Sequence, residues 1–122
     1  MAERVRALRG AITIDNDTRD QVIERTAQLI QTMMERNGVE KNDLISIIFT
    51  ATDDIASEFP AAAARELGIS DVPLLCAREL DVLDAVGLCV RVMMHLYTEK
   101  EPADLRHVYL EGAVPLRSDL PQ

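Results

Sequence analysis

The run from Leu88 to Thr98 constrains this chain more than any other segment. Its residues alternate as a strand's do, with Leu88, Val90, Val92, Met94 and Leu96 on one face and Cys89, Arg91, Met93, His95 and Tyr97 on the other. The first face reads as plain core. The second is too apolar for open water and too polar for a core, so a partner subunit and a ligand are expected to cover it. Arg91 stands in its middle. A guanidinium in an apolar run is expected to be desolvated, and it persists only where an anionic or strongly polar group faces it.

Other segments alternate between strand and helix patterns. Residues 4 to 14 suit a strand, with Leu8, Ile12 and Ile14 on one side and Ala7, Arg9, Ala11 and Thr13 on the other. Thr18 followed by Gln21 forms a capping-box signature. Val22, Ile23, Thr26, Leu29, Ile30, Met33 and Met34 then recur at helical spacing until Asn37-Gly38 supplies a stop. Leu44 to Thr50 predicts a central strand covered on both faces, and Phe59 to Gly68 a two-turn helix with Pro60 at its start. Short strands are expected over 72–76 and 106–110, with a helical turn over 102–105. The pattern predicts an α+β domain with a mixed β-sheet and helices on one side, although strand order is not readable from it.

At 122 residues the chain suits a single domain spanning 1–122, with 118–122 as a flexible tail. A net charge of −8 without a Lys/Arg run argues against nucleic acid, and no apolar stretch is long enough to span a membrane. Met1-Ala2-Glu3-Arg4 lacks a signal-peptide apolar region, so a cytoplasmic location is expected. Cys76 and Cys89 lie in separate apolar runs without metal-ligand spacing, which suggests reduced thiols and no metal site. Eleven arginines stand against two lysines, Lys41 and Lys100. Arginine pairs bidentately with carboxylates where lysine cannot, so the skew favours a pocket for a small polyanion. Arg19, Arg25 and Arg36 read as surface ion-pair partners, and Arg9, Arg91 and Arg117 as pocket residues.

Leu8-Arg9-Gly10-Ala11, Phe59-Pro60-Ala61 with Ala64-Arg65-Glu66-Leu67, and Val72-Pro73 leading to Cys76 and Glu79 occur in that order. Cys89 to Met94 follows, then Arg106 to Glu111 with Ala113-Val114 and Leu116-Arg117. As an ensemble covering nearly the whole chain, these segments resemble the monofunctional AroH-type chorismate mutases. The resemblance implies a pseudo-barrel homotrimer with active sites in clefts between subunits. It also implies conversion of chorismate to prephenate, a step toward phenylalanine and tyrosine, with no cofactor. That reaction is an intramolecular Claisen rearrangement of a dianion, which breaks a C–O bond and forms a C–C bond without nucleophile, general acid or metal. A protein assists it by holding a chair-like conformer and stabilising negative charge on the ether oxygen.

Carried over by resemblance, Arg91 would donate to the ether oxygen and a carboxylate, and Glu79 would meet the ring hydroxyl and the positive charge of the ring fragment. Arg9 and Tyr109 would hold carboxylates. Cys76, with the backbone around Leu74 and Leu75, would line the ring side. Phe59, Ala61 and Arg65 would close the opposite wall from the neighbouring chain, and Leu116 and Arg117 would belong to a segment that orders over ligand. Two positions depart from the pattern: Ala62 where relatives can carry a charge, and Leu75 where a relative can offer a hydroxyl.

Taken singly, Glu79 reads as a solvated strand-end carboxylate, Tyr109 as a core tyrosine and Cys76 as a small buried hydrophobe. His95 and His107 read as structural or interfacial. Two other functions share the arginine pattern: an imine deaminase on a similar trimeric scaffold, and a noncatalytic module that binds carboxylate metabolites or another protein.

Overall fold

The structure, a computed structural model, describes residues 3–116. Five strands form one mixed sheet: β1 (Arg4–Thr13), β2 (Leu44–Ala51), β3 (Leu74–Arg78), β4 (Cys89–Thr98) and β5 (Val108–Leu110), in the order β3-β2-β4-β1-β5. β4 lies at the centre, antiparallel to both β1 and β2, while the outer strands β3 and β5 run parallel to their neighbours. Two α-helices, α1 (Arg19–Asn37) and α2 (Ala61–Glu66), pack on one face. The α+β class and the one-sided helices agree with the sequence.

α1 begins where Thr18 caps the Gln21 amide, at 3.2 Å. The Gln21 side chain reaches back past Thr18 to accept from the amides of Asp15 and Asn16 at 2.8 and 3.1 Å, fastening the loop that follows β1. The helix ends at Gly38, whose φ of 63° suits a residue without Cβ. Val22, Leu29, Ile30 and Met33 are buried in the core shared with β1. Gly10 permits that approach, since a Cβ there would lie 2.5 Å from the Met33 sulfur. Beneath the helices Leu8, Ile12, Ile47, Phe49, Val90, Met94 and Leu96 are fully buried, each such side chain being worth roughly 1.5–3 kcal/mol on removal from water.

Several boundaries differ from expectation for physical reasons. β2 is covered on one face only: Leu44, Ile47, Phe49 and Ala51 are buried, whereas Ile45, Ser46, Ile48 and Thr50 are half-buried. β3 starts at Leu74 instead of residue 72, because Pro73 can offer the ladder only its carbonyl, to Ile47 N at 3.0 Å. Leu88 adopts a φ of 46° with its amide gripped by Asp54, so β4 begins one residue later. β5 is limited to Val108–Leu110, and a 3-10 turn over Glu111–Leu116 follows it. That turn crosses to the helix-free face, where the Gly112 amide donates to Thr13 Oγ1 at 2.8 Å and Ala113 packs with Ala11 and Cys89. The segment containing Arg117 and the proposed tail of 118–122 lies outside the described residues.

Candidate active site

The helix-free face of the sheet carries the residues singled out by the sequence. Strand register places Thr50, Arg91, Ala11 and Tyr109 side by side across β2, β4, β1 and β5. The adjacent row holds Ile48, Met93 and Arg9. Ala11 is the smallest member of its row, so it leaves a trough between Arg91 and Tyr109, whose strands are separated by two spacings of roughly 4.8 Å. Arg9 stands diagonally across from Arg91, a relation that puts the two residues roughly 7–8 Å apart and brings long side chains within mutual reach. Both arginines, Tyr109, Thr50, Ile48, Met93, His95 and Leu116 border one cavity of about 440 Å³.

Glu79 answers the requirement for an anion near Arg91. Its Oε2 lies 3.4 Å from Arg91 Nε and accepts a 2.6 Å hydrogen bond from Thr50 Oγ1. The Glu79 amide donates to Ala51 O at 2.9 Å, which fixes the residue just beyond β3. Arg91 is less buried than expected. Its Nε is shielded from solvent and lacks hydrogen-bond geometry, but the side chain as a whole is 42% exposed and opens onto the cavity. The expectation of a desolvated guanidinium is therefore corrected: within one chain only its inner nitrogen is sheltered, because the sheet face beside it is uncovered. Beneath it, burial pushes the Cys89 thiol pKa up against the opposing pull of the Arg91 charge, which keeps that sulfur protonated and inert.

A larger hollow of about 530 Å³ lies elsewhere, between residues 55–60, Phe49, Ala51 and β3. Its arginine is already engaged: Arg78 donates to the carbonyls of Thr52 and Ile55 at 2.6 and 2.9 Å, and its Nε lies 3.6 Å from Asp53. The trough beside Arg91 is the better anion site, because two guanidinium groups and a phenol converge there.

The other sequence-derived residues do not meet that trough within one chain. Leu74 and Cys76 pair with Ile47 and Phe49 and share their side of the sheet, so the Cys76 side chain borders the larger hollow. Leu75 sits on the helix-free side and is exposed. Phe59 is exposed ahead of α2, Ala61 is buried against the core, and Arg65 projects from the last turn of α2. Arg19 and Arg25 form the expected surface pairs, with Glu58 at 3.1 Å and Asp15 at 2.9 Å. Thr50 was missed, although its place at the end of an apolar run was a usable signal.

A mixed sheet whose uncovered face gathers cationic and phenolic donors around a hollow defines a protein that handles a small polyanion by electrostatic contact. The sequence profile of chorismate mutase type I matches residues 5–120. The chain is 44% identical over 117 residues to a chorismate mutase AroH from Thermus thermophilus, covering 95% of this chain and 96% of that one. It is 40% identical over 117 residues to another from Bacillus subtilis (strain 168), covering 95% and 92%. A solved chorismate mutase from Clostridium thermocellum superimposes with a TM-score of 0.87 at 46% identity, covering 88% of this chain and 96% of that chain. The chain belongs to the type I chorismate mutase family. It is thus an isomerase of aromatic amino acid biosynthesis, and neither rival function is favoured.

Proposed function

We propose that the trough between Arg91 and Tyr109 is where chorismate rearranges to prephenate, and that it is completed by a neighbouring copy in a homotrimer. The convergence of Arg9, Arg91 and Tyr109 on one cavity carries this reading. Arg91 donates to the ether oxygen as the C–O bond breaks and to an adjacent carboxylate. Arg9 and Tyr109 hold the carboxylates of the folded dianion. Glu79 serves twice: it meets the ring hydroxyl and the partial positive charge of the ring fragment, and its carboxylate orients the Arg91 fork. Cys76 and the backbone of Leu74 and Leu75 form the ring-side wall, and because the Cys76 side chain lies on the helix side of its own sheet, in the same hollow as Phe59, they do so from the partner copy.

Phe59 and Arg65 close the trough from the partner copy, and Ala61, buried at the first position of α2, sets the start of the helix that carries Arg65. This assignment is supported by their distance from the chain's own trough and by the exposure of Phe59 and Leu75, apolar side chains that favour burial at an interface. Leu116, packed beside Tyr109 and Ala11, borders the trough, and Arg117 next to it in sequence is assigned to substrate binding. Among the described residues no helix is long and apolar enough to cross a membrane, and we place the enzyme in the cytoplasm.

The donor at Arg91 acts where charge develops, so it lowers the barrier instead of merely binding the ground state. One such preorganised donor is typically worth about 3–4 kcal/mol. Lysine at that position is a poor substitute, since a point charge does not bridge two oxygens as a planar fork does. Incubation with chorismate tests the reading: loss of diene absorbance with formation of prephenate is expected. Unchanged chorismate sinks it. Solution mass is expected to match three chains, and a monomeric mass would remove the partner wall from the scheme.

A further inference from the structure

Arg9 is held by a group that the catalytic scheme leaves unused. β1 and β5 pair in parallel only from Gly10 with Val108 to Ile12 with Leu110. One residue upstream, the Arg9 amide donates to Nδ1 of His107 at 2.9 Å, so an imidazole takes the place of a strand carbonyl. His107 is 6% exposed, which limits competition from water for that acceptor. Burial first, and the Arg9 charge second, hold the imidazole pKa below its ordinary value. The ring is therefore neutral near pH 7, and acceptance at Nδ1 requires the proton on Nε2.

The backbone just before the ring is itself anchored. Asn37, the buried last residue of α1, accepts from the Arg106 amide at 2.7 Å and donates to the Arg106 carbonyl at 2.9 Å and the Met33 carbonyl at 2.8 Å. A continuous path of hydrogen bonds and covalent bonds thus runs from the end of α1 through Asn37, Arg106 and His107 to the backbone of Arg9. Two residues beyond His107, Tyr109 borders the same cavity as Arg9. The imidazole therefore sets the relative placement of two substrate-facing side chains from adjacent strands.

We propose that His107 is a positioning residue for substrate binding: its Nδ1 fixes the Arg9 peptide and thereby aims the Arg9 guanidinium into the trough. This rests on the reading of Arg9 as a carboxylate holder. A small displacement at the backbone grows along the arginine side chain, so loss of the acceptor weakens substrate capture before it affects the bond-breaking step at Arg91. The asparagine isostere is informative because its Oδ1 can occupy the place of Nδ1. Glutamine carries its oxygen one bond too far.

Steady-state kinetics on chorismate with H107N, H107Q, H107L, R9A and the R9A/H107Q double variant tests this. H107L and H107Q are expected to raise KM about three- to tenfold, the worth of one hydrogen bond, with kcat within about twofold of wild type. H107N is expected to restore KM to within about twofold, a rescue that generic loosening would not produce. In the R9A background, H107Q should add no further rise, because the effect passes through Arg9. If circular dichroism shows H107L unfolded, the H107N and H107Q pair carries the comparison. Wild-type KM in H107Q, failure of H107N to rescue, or an additive rise in the double variant overturns the positioning role and leaves the site reading intact. A normal KM in R9A instead overturns the reading of Arg9.

Discussion

The two faces of the sheet are built from the same strands by alternate residues, yet they obey opposite rules. On the helix side the positions of β1 and β4 are closed by apolar neighbours: Leu8, Gly10 and Ile12 of β1 meet Leu29 and Met33 of α1, and Val90, Val92 and Met94 of β4 lie beneath them. On the other side Arg9, Arg91, Met93, His95 and Tyr109 are only half-buried and border a cavity. One face gains stability by excluding everything, and the other keeps room and charge for an outside molecule. Substitutions on the first should therefore act on folding, and on the second on turnover.

The largest expected effect is on the packed face. Phe49→Ala empties a fully buried site and should cost about 3–5 kcal/mol in urea melts, while folded molecules keep near-normal kcat. Arg91→Gln should do the reverse: a kcat lower by a factor on the order of 100 to 1,000, with an unchanged urea midpoint. Near-wild-type turnover in that variant would remove Arg91 from the mechanism and erase the contrast. Gly10→Ala forces a methyl against the Met33 sulfur and should cost about 1–3 kcal/mol, although Gly10 adjoins two residues of the open face.

The smallest effect falls between the faces, at His107. Its pKa in the folded protein lies below the ordinary 6.5, because burial and the nearby Arg9 charge disfavour the imidazolium. Arg9 of β1 is the charged group that faces it, while the neighbouring contribution from α1 is the uncharged Asn37, bonded to Arg106. The unfolded chain therefore binds the extra proton more readily. This contribution to stability is complete above pH 6.5 and declines as pH falls through 6.5 toward the folded-state value. Urea midpoints on either side of that pH should show the decline in wild type and a flatter response in H107N.

How much of this was legible in the sequence follows from the range of the interactions involved. The face assignments of Arg9 and Arg91 needed only the two-residue period of a strand, and α1 declared itself through Thr18, its apolar stripe and Gly38. The sheet order was hidden, because pairing of β1 with β4 joins residues as distant as Arg4 and Thr98. Glu79 could be named only by resemblance. Its bond to Thr50 depends on β3 lying parallel to β2, which local patterning does not encode. The shortening of β5 was equally hidden, since Asn37 and His107 divert its first residues through side chains that come from, or reach to, other elements.

The strict alternation along β4 has a consequence for how such a chain can vary over generations. Insertion or deletion of a single residue just before Val90, unless a bulge absorbs it, would exchange the inventories of the two sides, driving Arg91 in among the leucines and turning Val90 toward the solvent. Hydrocarbon would reject the ion, so the slipped molecule would fail to fold instead of surviving as an intact but idle protein. Point substitutions thus remain the tolerable route of change in this segment, and cellular quality control inspects the chemistry whenever it inspects the architecture.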